Sequence, residues 1–130
     1  MTHLFDIRVY YEDTDAGGIV YYANYLKFAE RARTEFLRNI GFDHRTLEKQ
    51  EDLFFVVRRI EGDFKAPARL DDLINVRTQL IEVKNVSFLM DQHIYLDKSC
   101  VFTLKVDIAC INKSGKPARM PENLRNALKG

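Results

Sequence analysis

Apolar and polar positions alternate with a period of two along most of this chain, and one stretch near the start breaks that rhythm. Residues 5–11 predict a first strand with Phe5, Ile7 and Val9 on one face. An acidic, glycine-rich run, Glu12 to Gly18, then predicts a loop. From Tyr25 the period lengthens. Tyr25, Phe28, Ala29, Ala32, Phe36 and Ile40 fall at helical spacing, and Gly41 is a natural stop. A short helical piece follows over His44–Gln50, and then the period of two returns. Strands are predicted from Leu53 to Phe64, Leu73 to Val83, Val86 to Leu96 and Val101 to Asn112, with a short last helix over Pro121–Leu128.

One strand, one long helix and four strands in succession favour antiparallel pairing, which makes the fold α+β. The helix has one broad apolar face and must lay it across the sheet. No repeat, linker or biased tract divides residues 1–130, so a single domain is expected.

Charge narrows the partners. Twenty Lys and Arg against 19 Asp and Glu give a net charge of +1, too little to draw a nucleic acid by a global field. Cys100 and Cys110 sit ten apart in one predicted strand. At ~3.3 Å per residue they lie roughly 33 Å apart and cannot bridge each other. Core thiols, no membrane span and no leader pattern at the start point to a cytoplasmic protein.

The chemistry concentrates between Arg8 and Tyr25, where the acidic loop meets the start of the long helix. A helix start offers unpaired N–H groups and the positive end of a dipole. Asp15 placed there is a carboxylate beside amides able to polarise a carbonyl oxygen, which is what hydrolysis of an activated acyl group requires. Gly17 and Gly18 would let the backbone approach a ligand closely. The plainer alternative is that Asp13, Thr14 and Asp15 only cap and turn the chain.

The run Tyr11-Glu12-Asp13-Thr14-Asp15-Ala16-Gly17-Gly18-Ile19-Val20-Tyr21-Tyr22-Ala23-Asn24-Tyr25, continued by Phe28-Ala29-Glu30-Arg31-Ala32-Arg33, resembles the 4-hydroxybenzoyl-CoA thioesterase family. Within it the run is similar to the Tol–Pal-associated acyl-CoA thioesterases of bacteria. Ala66-Pro67-Ala68-Arg69-Leu70-Asp71-Asp72 resembles the second recurrent stretch of that family. The resemblance implies a hotdog fold, in which a five-stranded antiparallel sheet wraps around the long helix. It also implies a homodimer or homotetramer with active sites between subunits, an acyl-CoA substrate, and no metal or cofactor. On the matching positions the catalytic aspartate is Asp15, and the N–H that polarises the thioester carbonyl is that of Tyr22. One departure is visible: where the Tol–Pal-associated members usually carry histidine this chain has Tyr22, and at that point it resembles the hydroxybenzoyl-type members more.

Other residues are weaker candidates. Glu30 is a possible substrate-positioning group, although beside Arg31 and Arg33 it also reads as an ion-paired surface position. Arg58, Arg59, Lys65, Arg69 and Lys84 are candidates for the CoA phosphates, since guanidinium forks suit phosphate oxygens. Ser87 and Phe88 are candidates for lining an acyl pocket. His3, His44 and His93 have no metal-ligand spacing. An acyl carrier protein is a further candidate partner. A carrier-protein thioesterase and a non-catalytic acyl-binding module are the rival functions.

Overall fold

The computed structural model describes residues 1–130. Strand β1 (Thr2–Arg8) leads through a single 3-10 turn at Tyr11–Asp13 to helix α1 (Asn24–Asn39) and a shorter α2 (His44–Glu51). Four strands follow, β2 (Phe54–Phe64), β3 (Leu73–Val83), β4 (Ser87–Leu96) and β5 (Ser99–Ile111), before helix α3 (Glu122–Lys129). They form one five-stranded sheet in the order β1-β3-β4-β5-β2, and every pair is antiparallel. Register shifts at Val57/Arg59, Leu80/Glu82 and Ile94/Tyr95 mark bulges, which bend a sheet and let it curve around the helix.

The inward faces match the alternation in the sequence. Ile74, Val76 and Thr78 on β3, Phe88 to Ile94 at alternate positions on β4, and Phe102 to Cys110 on β5 are buried against Tyr25, Phe28, Ala29, Ala32 and Phe36 of α1. This is the hotdog arrangement: the long helix is the filling and the sheet its wrapper. Gln92 is the polar intruder in that face. It is fully buried, and its amide donates to the Ala29 carbonyl at 2.9 Å and to Thr78 Oγ1 at 3.0 Å. Gly41 ends α1 in the left-handed region (φ 96°), while Phe42 N–H returns to the Leu37 carbonyl at 3.0 Å.

The first strand needs correction. It occupies Thr2–Arg8 and does not reach Tyr11, because pairing with β3 ends at Arg8 opposite Leu73. Beyond Val9, the Tyr10 N–H is taken by the Asp13 carboxylate at 2.8 Å, which folds the chain into the 3-10 turn. No helix is long and apolar enough to cross a membrane.

Candidate active site

The loop between β1 and α1 is built around Asp13. This side chain is 2% exposed, and its oxygens accept from Tyr10 N–H at 2.8 Å and from the Asn24 amide at 2.9 Å. Its backbone carbonyl accepts from Tyr21 N–H at 2.9 Å. One buried carboxylate therefore ties the end of the first strand, the return of the loop and the first residue of α1 together. Thr14 bridges Val20, and Asp15 N–H donates to the Ile19 carbonyl at 2.9 Å, so Asp13–Asp15 and Ile19–Tyr21 lie side by side as a small hairpin.

Asp15 sits at the exposed tip of that hairpin and forms no ion pair. Gly17 N–H donates to its Oδ1 at 2.9 Å, and Gly18 N–H donates to its backbone carbonyl at 3.0 Å. Gly18 takes φ 76°, which suits a residue without a side chain. A Cβ built on Gly17 would stand 3.3 Å from Asp15 Oδ1, so the missing side chain leaves the carboxylate its place. Neither glycine has its N–H free for a ligand; both spend it on Asp15.

After Tyr21 the chain turns into α1 without a side-chain cap. The N–H groups of Tyr22 and Ala23 find no partner within the chain, so two donors point out of the helix start unspent. Tyr22 packs its ring against Phe64 of β2 (centroids 6.0 Å apart), and Phe64 in turn meets Tyr25 at 5.8 Å and Phe102 at 4.9 Å. Tyr25 stacks on Phe102 at 5.1 Å, and its hydroxyl accepts Ala68 N–H at 3.1 Å. Burial pushes the Tyr25 phenol up from its ordinary value, the Ala68 N–H offsetting part of the rise. Tyr22, Tyr25, Phe64 and Lys65 line one open, mainly apolar hollow with Ile19 and Pro67.

The two recurrent stretches are thereby brought together. Val20 N–H donates to the Ala68 carbonyl at 2.9 Å, and Ile19 bridges Arg69. Lys65 and Arg69 belong to this neighbourhood. Arg58, Lys84, Ser87 and Phe88 do not. They line a separate cleft with Glu82 and Asp107, where Arg58 is already held by Asp107 at 2.9 Å. On β5, Phe102 marks the Tyr22 end and Ile108, opposite Phe88 and Val57, marks the other. Six residues of strand separate them, roughly 20 Å. Two carboxylates offset the two cations of that cleft, which makes it a poor phosphate trap within one chain. Arg59 pairs across from Asp107 on β2 and lines neither place. Glu30 faces a third cleft farther along α1. The histidines are scattered: His3 packs on Phe36, His44 on Phe55, and His93 bonds Asp91.

Comparison with known proteins identifies the family of the chain. The model of the thioesterase-like superfamily matches residues 9–128. The chain is 43% identical to the acyl-CoA thioesterase YbgC of Haemophilus influenzae over 95% of its length and 91% of that protein. It is 39% identical to the acyl-CoA thioester hydrolase YbgC of Escherichia coli O157:H7, covering 91% of this chain and 89% of the relative. The probable thioesterase from Bartonella henselae superimposes with a TM-score of 0.90 at 44% identity, over 93% of this chain and all (100%) of that structure. The chain belongs to the thioesterase-like superfamily.

Proposed function

We propose that this protein hydrolyses acyl-CoA thioesters to the free acid and CoA, with Asp15 as the reacting carboxylate and the Tyr22 N–H as the donor to the thioester oxygen. The observation that carries this reading is an exposed carboxylate, free of ion pairs, at the tip of a short hairpin whose return strand leads into the unspent N–H groups of Tyr22 and Ala23. The relatives' names point to the same substrate class. A thioester carbonyl is weakly stabilised by resonance, so one carboxylate and one or two amide donors suffice. Asp15 either attacks the carbonyl carbon, expelling the CoA thiolate and leaving a mixed anhydride for water to open, or takes a proton from the water that attacks. Both routes end in one carboxylic acid and one thiol. Because the donor is a backbone N–H, the tyrosine at position 22 is compatible with either route.

The same reading makes the working unit at least a homodimer. Strand β2 is a sheet edge of 11 residues whose Val56, Val57, Ile60 and Phe64 are all exposed. An edge of that length and apolarity is a template for a second strand. The hollow beside Tyr22 is open and is bordered by Phe64 at the end of β2, so a second copy along that edge would lie beside it. Lys65 and Arg69, next to the hollow, are the cations placed to meet CoA phosphates from their own chain; Arg58, Lys84 and Ser87 could contribute only from a partner.

Release of CoA, followed with a thiol-reactive dye across short-chain, long-chain and aroyl-CoA thioesters, tests the function. Turnover on at least one class is expected. Folded protein that turns over none of them would contradict the reading and favour carrier-protein thioesters or a binding role.

A further inference from the structure

A third, narrow cleft lies between the far half of α1 and the sheet, with room of about 50 Å³. Phe55, Val57, Phe88, Met90, Ile108 and Leu128 give it apolar walls. On the helix side stands Arg33, half-buried, and no carboxylate pairs with it. Its one hydrogen bond runs from Nη1 to Gln92 Oε1 at 2.9 Å. That acceptor cannot turn away, because the amide end of Gln92 is fixed by Ala29 and Thr78. A guanidinium carries five N–H donors, and no other protein group accepts from the remaining ones, which are left to the open cleft. Burial accordingly depresses its basicity, only partly offset by the charge of Glu30. Donors left to solvent in a largely apolar cleft favour an occupant that brings an acceptor over a purely hydrocarbon one, which would displace that solvent and leave them unmet.

The cleft and the hollow at Tyr22 share no lining residue, but one strand runs between them. On the inner face of β2, Phe64, Ile60 and Val57 stand opposite Phe102, Val106 and Ile108 of β5 and are 56%, 45% and 49% exposed. They form an apolar strip that starts at the Tyr22 ring and ends at the Val57 wall of the cleft. Along α1, Arg33 lies nine residues beyond Asn24, roughly 14 Å at 1.5 Å per residue. We propose that the acyl group of the substrate runs along this strip with its far end in the cleft, and that Arg33 selects acyl groups carrying a hydrogen-bond-accepting oxygen there. Arg33 is then a specificity-determining residue, and Gln92 is the residue that positions it. The proposal rests on the thioesterase reading, with the thioester carbon at Tyr22.

Matched CoA thioesters of one chain length, ending in a methyl, a hydroxyl or a carboxylate, provide the test. Wild type is expected to favour an oxygenated end by about tenfold in kcat/KM, the worth of one hydrogen bond to a charged group. A preference for hydroxyl over carboxylate, or the reverse, identifies the oxygen. Arg33→Met should bring the ratio to about one or below, and Arg33→Lys should keep part of it. The same ratio should appear in Kd, measured calorimetrically with Asp15→Asn protein. A wild-type preference for the methyl end, or an equal ratio in wild type and Arg33→Met, overturns the proposal. Should Arg33→Met not fold, the wild-type ratio and Arg33→Lys decide. Absence of hydrolysis with every thioester would count against the thioesterase reading instead, while the Kd ratio would still decide the role of Arg33.

Discussion

Two carboxylates two positions apart have opposite fates in this loop, and burial separates them. Asp13 is enclosed and spends both oxygens on Tyr10 and Asn24, whereas Asp15 is exposed and bound only by Gly17 N–H. Replacing Asp13 with Ala would strand a backbone N–H and a buried amide. About 3 kcal/mol of stability should be lost, read as a melting temperature lower by roughly 10 °C. Gly17 makes the complementary case. A methyl group there would stand 3.3 Å from Asp15 Oδ1 and push the carboxylate aside by a few tenths of an ångström. Gly17→Ala should therefore lower kcat about tenfold with little change in melting temperature, since a small misplacement of a reacting group is costly. Loss of fold in Gly17→Ala, or an unchanged kcat, would contradict that role. Asp15 was legible in the sequence through its motif. That Asp13 would be buried and tied down while Asp15 stayed exposed was not, because two acidic loop residues look alike until burial and partners are known.

At the scale of elements, periodicity carried most of the architecture. The stripe from Tyr25 to Phe36 became the buried face of α1, and the alternation of β3, β4 and β5 became the inner face of the sheet. The first strand ended early because a side chain competed for its backbone: Asp13 took the Tyr10 N–H. Such local capture is invisible to a hydrophobic pattern. Phosphate candidates fared similarly. Lys65 and Arg69 follow β2 into the neighbourhood of Tyr22, while Arg58 and Lys84 share a cleft with Glu82 and Asp107 at the other end of the strands. Sequence distance gave no warning of this. Arg33 and Gln92 passed unnoticed for another reason: a lone glutamine in an alternating strand and an arginine on an amphipathic helix are ordinary separately, and only packing joins them. The one available signal was Gln92 standing at an inward position of β4.

For the whole molecule, the exposed inner face of β2 is the feature a lone chain leaves unresolved. Phe64, Ile60 and Val57 point inward yet remain open to solvent, and the strand that bears them is a free edge. A second copy pairing along β2, as proposed, would cover both. Ile60→Lys puts a charge at the middle of that strip, where pairing must exclude water. Light scattering is expected to show the wild type as a dimer or a multiple of one and Ile60→Lys shifted towards monomer, with CoA release falling in parallel. A monomeric wild type at full activity would refute the shared site.

The central claim is that Asp15 performs the chemistry and the rest of the loop holds it in place. Asp15→Asn tests this most directly, because the amide keeps the size of the side chain and its contact with Gly17 N–H while removing the charge. Measured on the best wild-type thioester, the variant should keep its melting temperature and substrate affinity while kcat falls by about a thousandfold or more. An Asp15→Asn protein that releases CoA at the wild-type rate would contradict the account and move the reacting group elsewhere.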